Sequence, residues 1–147
     1  MSLHVRPVEY FYVRLENDPA KAWEFLAKLA GEEINLLAFS AVPYGARHTE
    51  LTLFPDSPAG FLRAAKKLGW NITGPQHAIL IQGDDALGAA ADIHKYLNDA
   101  GVGIYASTGI TDGAGRYGYV IYVREADYKQ AERALREARQ TVPSAVL

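Results

Sequence analysis

The apolar and polar positions of this chain trace one pattern twice. Residues 9–68 and 77–136 match at a constant offset of 68 positions without a gap, so that Ala22 falls on Ala90, Leu29 on Leu97, Ala38 on Ala106 and Gly45-Ala46 on Gly113-Ala114. Each copy reads in the same order: an apolar strand, an amphipathic helix, two β-rich runs joined by a Gly turn, and a second helix. An order repeated in register marks a duplicated module, and paired modules are natural places to hold a small ligand.

In the first copy Tyr10–Leu15 is a β-rich run. It is followed by Glu16-Asn17-Asp18-Pro19, where Asp18 suits an N-cap and Pro19 the first helical position. Ala22, Trp23, Leu26, Leu29 and Ala30 then predict a helical face ending near Gly31. Ile34–Val42 and Thr49–Phe54 predict a hairpin around Pro43–Ala46, and Ser57-Pro58 opens a second helix with a stripe of Phe61, Leu62, Ala65 and Leu68. The second copy predicts a strand at Ala78–Ile81 and a helix whose inner face is Ala90, Ile93, Leu97 and Ala100. A hairpin of Val102–Ile110 and Tyr117–Val123 and a last helix over Asp127–Ala138 follow. A closing strand completes each ferredoxin-like β-α-β-β-α-β unit, with Trp70–Thr73 and Thr141–Leu147 as the candidates. The expected fold is α+β: two ferredoxin-like units, residues 1–75 and 76–147, each an antiparallel sheet with helices on one face.

Composition narrows the chemistry. The chain has 147 residues, no Cys and a formal charge of −2 with the two signs interspersed. That excludes thiolate catalysis and Cys-based metal sites, and offers no general attraction to phosphate backbones or anionic lipid. No run has the length of a signal peptide or a bilayer span, so a cytoplasmic protein without a membrane partner is expected. His4, His48, His77 and His94 stand at no metal-ligand spacing, and no metal or cofactor is expected. His94 follows the apolar stripe of its helix and reads as a partly buried, hydrogen-bonded residue rather than a general base. Ser40 and Ser107-Thr108 lack any elbow motif, and the Gly-rich 109–115 segment lacks P-loop Lys-Ser/Thr, so it reads as a hairpin turn. No catalytic residue is expected.

Two aromatic groups bear on partners. Tyr10-Phe11-Tyr12 must show rings to both faces of a strand, one face for helices and one for a neighbour, which suggests a homodimer. Tyr117-Gly118-Tyr119-Val120-Ile121-Tyr122 meets most of the ribonucleoprotein strand motif, making Tyr117, Tyr119 and Tyr122 a base platform in an alternative, RNA-binding reading. Against it, Ile79-Leu80-Ile81 supplies no stacking ring and the net charge has the wrong sign for a nucleic-acid partner.

The loop entering the first helix and the start of the second strand, once in each copy, give the chain its family likeness. It resembles stand-alone proteins made of two ACT domains in tandem, small regulatory modules that bind amino acids beside metabolic enzymes. The likeness covers nearly the whole chain. In the first unit the loop Asn17-Asp18-Pro19-Ala20 has Ala where that family usually has Gly, while strand two begins Ile34-Asn35-Leu36 as the family's does. In the second unit Asp84-Asp85-Ala86-Leu87-Gly88 keeps the Gly, while Val102-Gly103-Ile104 lacks the Asn. The resemblance implies a non-catalytic regulator with an amino-acid ligand at the seam of the units. Asp84, Asp85, Leu87 and Gly88 would act together with Asn35 and Leu36. A weaker second site would comprise Asn17, Asp18, Ala20 and Ile104, and a metabolic enzyme would be the regulated partner. An interaction module whose ligand site has decayed is the third reading.

Overall fold

The computed structural model describes residues 3–141. In chain order it contains β1 (His4–Glu16), α1 (Pro19–Gly31), β2 (Leu36–Tyr44), β3 (His48–Pro55), α2 (Pro58–Leu68), β4 (Thr73–Asp84), α3 (Ala89–Asp99), β5 (Ile104–Thr111) and β6 (Arg116–Val123). A 3₁₀ turn at Glu125–Asp127 then leads into α4 (Tyr128–Thr141). The chain divides into two compact units. The first is Glu9–Gln76; the second starts at His77 and also takes in the described residues before Glu9.

β1 and β4 are long because each serves both units. The first unit's sheet runs β2-β3-β1-β4 and the second unit's runs β1-β4-β6-β5, so both have the ferredoxin-like strand order. In the second unit the closing strand is the first half of β1, with Val5 buried in the same core as Ile79, Ile81 and Ile121. The sequence expectation had placed that strand at Thr141–Leu147; Thr141 is the last residue of α4, and residues 142–147 lie outside the described residues. In the first unit the closing strand starts at Thr73, and the preceding Trp70 and Ile72 pack half-buried against the core instead.

The duplication holds at the level of hydrogen-bond register. Phe11 pairs with Leu53 and Glu16 with His48, and 68 positions on Ile79 pairs with Ile121 and Asp84 with Arg116. Even the irregularity between Leu36 and Ala38 recurs between Ile104 and Ala106. Loop bonds repeat too: Asn17 N–H donates to Arg47 O (2.7 Å) as Asp85 N–H does to Gly115 O (2.8 Å).

Phe11, Val13, Phe25, Leu29, Leu51, Leu53 and Phe61 make the first core, where Phe11 and Phe61 stack at 4.7 Å. On α1 the inner residues are Phe25 and Leu29, whereas Trp23 is 71% exposed. The expected face was therefore rotated, because a stripe through 22, 25, 26 and 29 leaves position 23 outside it. On α2 the buried residues are Phe61, Ala64 and Ala65, and Leu62 and Leu68 face outward. Tyr10 lies on the sheet face opposite Phe11. It is already buried within this chain, with Tyr12 and Phe54 rings at 5.5 and 5.2 Å and its hydroxyl donating to Gln76 Oε1 at 2.9 Å.

Candidate functional site

The site is built where β4 ends. Asp84 stands opposite Arg116 on β6, and the two side chains pair at 3.3 Å, each about half exposed. The chain then crosses to α3 through Asp85–Gly88. At the matching place in the first unit, the Asp18 side chain accepts from Ala20 N–H at 2.9 Å and Pro19 opens α1, a capped and closed start. The second unit has Ala86 and Leu87 at those two positions. With neither cap nor proline, α3 begins only at Ala89, no side chain caps it, and Gly88 turns the backbone at φ +84°. The first N–H groups of such a helix have no intrahelical acceptor and carry the positive end of its dipole.

This late start opens a cleft of ≈ 550 Å³ within the second unit. Its walls are the Asp85–Gly88 loop, the Ala89–Ala91 turn of α3, Gly109–Thr111 at the end of β5 and Tyr117–Tyr119 on β6. Ala90, expected on the inner face of its helix, is exposed, because it lines the cleft and not the core. Gly109 lies directly beside the Tyr119 ring: a Cβ there would stand 3.1 Å from Tyr119 Cδ1. The Tyr119 hydroxyl is 2.6 Å from His94 Nε2 and donates to Ser107 Oγ at 2.9 Å, a polar chain linking α3, β6 and β5. His94 is thus hydrogen-bonded as expected, although its residue is exposed. Burial, followed by the charges of Asp84 and Asp92, raises the pKa of the Tyr117 phenol above its ordinary value.

Of the residues singled out from sequence, Asp84, Asp85, Leu87 and Gly88 come together on this one loop, and the last three line the cleft. Asn35 and Leu36 belong to the first unit. The Asn35 carbonyl accepts from Asp56 N–H at 2.9 Å, and Leu36 opens β2 opposite Pro55. Asn17 and Asp18 border a separate, polar cleft of ≈ 520 Å³ in the first unit with Arg47 and His48. The Ala20 amide is taken by Asp18, and Ile104 packs against the second core opposite Val123. Gly109 was not marked as a site residue, and Tyr119 only as part of the RNA-binding alternative; the hairpin register that places Gly109 opposite Tyr119 is the signal that carried them.

The aromatic platform of the RNA-binding alternative does not form. Tyr119 is a member of the second core and Tyr117 packs against it, on the helix side with Ile121, which puts Tyr122 on the other face, near Tyr105. Strand alternation explains this, since positions 117, 119 and 121 share one side. Gly109–Gly115 forms the expected hairpin turn. Asp112 accepts from Ala114 N–H at 2.7 Å and Arg116 N–H at 3.1 Å, bonds that lower the pKa of its carboxyl. Among the described residues no group of three or more acidic or histidine side chains is placed to hold a metal ion, and no helix is long and apolar enough to cross a membrane.

No protein-family model matches the chain, and no curated protein does. Solved structures do. Protein BT0572 from Bacteroides thetaiotaomicron is similar with a TM-score of 0.77 at 21% identity, over 92% of this chain and 90% of that one. The ligand-free regulatory subunit of aspartate kinase from Thermus thermophilus is similar with a TM-score of 0.62 at 15% identity, over 94% and 97%. The aspartokinase alpha and beta subunits give 0.60 at 16%, over 95% and 98%. At such identities the shared property is the fold: the chain has the tandem ferredoxin-like fold of these structures.

Proposed function

We propose that this chain is a non-catalytic regulatory protein that binds a small amino-acid-like effector in the cleft of its second unit. The observation that carries the reading is the uncapped start of α3 opening into a cleft at the very loop to which the ACT resemblance assigns the ligand. The dipole of α3 and the amides of its first turn beyond Ala89, whose N–H donates to Ala86 O, suit the effector's carboxylate, Gly88 lets backbone approach it closely, and Asp85 offers an acceptor to its ammonium. The fold shared with the regulatory subunit of aspartate kinase supports the role, with a metabolic enzyme as the regulated partner. The same resemblance assigns Asn35 and Leu36 to ligand contact, for which Asn35→Ala is the test. A cytoplasmic homodimer is part of this proposal.

The decisive experiment is a thermal-shift screen of the purified chain against the twenty amino acids. A ligand at about a hundredfold its Kd adds about 2.7 kcal/mol, a rise in Tm of roughly 5–10 °C for a chain of this size. One or two amino acids should produce it, and Gly88→Val, at a position with open space but positive φ, should abolish it while the protein stays folded. Silence from all twenty overturns the reading.

A further inference from the structure

Resting on that functional reading, we infer that the effector is an amino acid with an apolar side chain, branched or aromatic, and that Tyr119, Gly109 and Ile110 select it. Apart from Asp85, Thr111 and the tyrosines Tyr117 and Tyr119, the side chains lining the cleft are apolar, with Leu87 and Ile110 the largest. Asp85 is the sole charged residue among those lining it, and together with the α3 amides it belongs to the loop end, where an α-carboxylate and α-ammonium are satisfied. The opposite wall shows carbon. The Tyr119 hydroxyl bridges His94 Nε2 and Ser107 Oγ, so its donor and its acceptor are both committed to the protein. What it turns to the cleft is the ring.

Tyr119 is 9% exposed, so only a small part of its ring reaches the cleft, and Gly109 lies against it. A side chain at 109 would press on Tyr119 Cδ1 and occupy the space above β5. At the mouth stand two large apolar side chains, Leu87, fully exposed, and Ile110, 76% exposed. An apolar ligand body buries part of both, at about 25 cal/mol per Å². A second charge on the ligand would instead be desolvated against the ring and the Ala89–Ala91 methyls with no counter-ion there.

The test is calorimetric titration of the full chain with leucine, phenylalanine, aspartate and lysine. Leucine or phenylalanine should bind at least tenfold more tightly than aspartate or lysine. Tyr119→Phe should keep that preference, since the hydroxyl faces the protein, and Gly109→Ile should lose binding of the apolar ligand. Ile110→Ser, an exposed position whose change leaves the core intact, should weaken it about fivefold through the lost apolar contact. Gly88-dependent binding of aspartate or lysine with leucine and phenylalanine silent would overturn this selectivity and leave the site standing. Absence of any amino-acid response would overturn both.

Discussion

Gly74 and Gly88 both have positive φ, yet for different reasons. At Gly74 a Cβ would stand 2.8 Å from the Tyr10 carbonyl oxygen and 3.0 Å from Phe11 Cδ1, so the position is crowded as well as left-handed; at Gly88 nothing lies within 4 Å. Gly74→Ala should therefore lower stability by about 2–3 kcal/mol. Gly88→Ala should cost only about 1 kcal/mol, the backbone term alone. Urea denaturation of the two variants measures the difference. Tyr117 gives a pH signature. Its pKa is raised by burial and by the charges of Asp84 and Asp92, so the neutral phenol's contribution is complete below the usual tyrosine value near 10 and is lost as pH rises through the folded one. Tm measured from about pH 9 to 12 should fall less steeply in Tyr117→Phe than in the parent. At this scale the sequence marked Gly88 through its motif, passed over Gly109 and marked Tyr119 only for RNA, because their pairing is a cross-strand contact that no local window contains.

Among the elements, α1 and α3 make an internal comparison between closed and open helix starts on one architecture. Asp18 and Pro19 supply the cap and the first turn of α1, while Ala86 and Leu87 supply neither to α3. The double variant Ala86→Asp with Leu87→Pro should extend α3 to the length of α1, stabilise the protein by about 1 kcal/mol and remove the amino-acid response by occupying the amides from within. Far-UV circular dichroism and the thermal-shift screen read the two effects separately. Strands, hairpins and the α1 cap were legible in the sequence because periodicity and turn chemistry are local signals. The helix faces were less so. Trp23 and Leu62 are large and apolar and drew the expected stripes toward themselves, whereas packing chose Phe25 and Ala64, each two positions away, alongside the expected Phe61 and Ala65. Hydrophobicity alone does not distinguish neighbouring residues on a short helix when both are apolar.

For the whole molecule, the feature least legible in sequence is the exchange of strand halves. The first half of β1 groups with the second unit and the first residues of β4 with the first, so the first unit, Glu9–Gln76, is one stretch of chain while the second is not. A duplicated pattern counts elements in order and assigns the closing strand to whatever follows the last helix; it carries no information on a strand recruited from the opposite end. The consequence is energetic. Val5 is 5% exposed in the core formed by Ile79, Ile81, Ile121 and Leu135, more than seventy positions away from each of them in sequence. Val5→Asp buries an unpaired carboxylate there and should lower stability by about 3 kcal/mol or more. Hydrogen exchange locates the damage: amides of Ile79, Ile121 and Leu135 should lose protection further than those of Leu29 and Leu53 in the first core. Equal loss in both cores, or none in either, would mean that the second unit closes without the first half of β1. The same variant should weaken the amino-acid response, because Tyr119 in the cleft wall belongs to the core that Val5 completes.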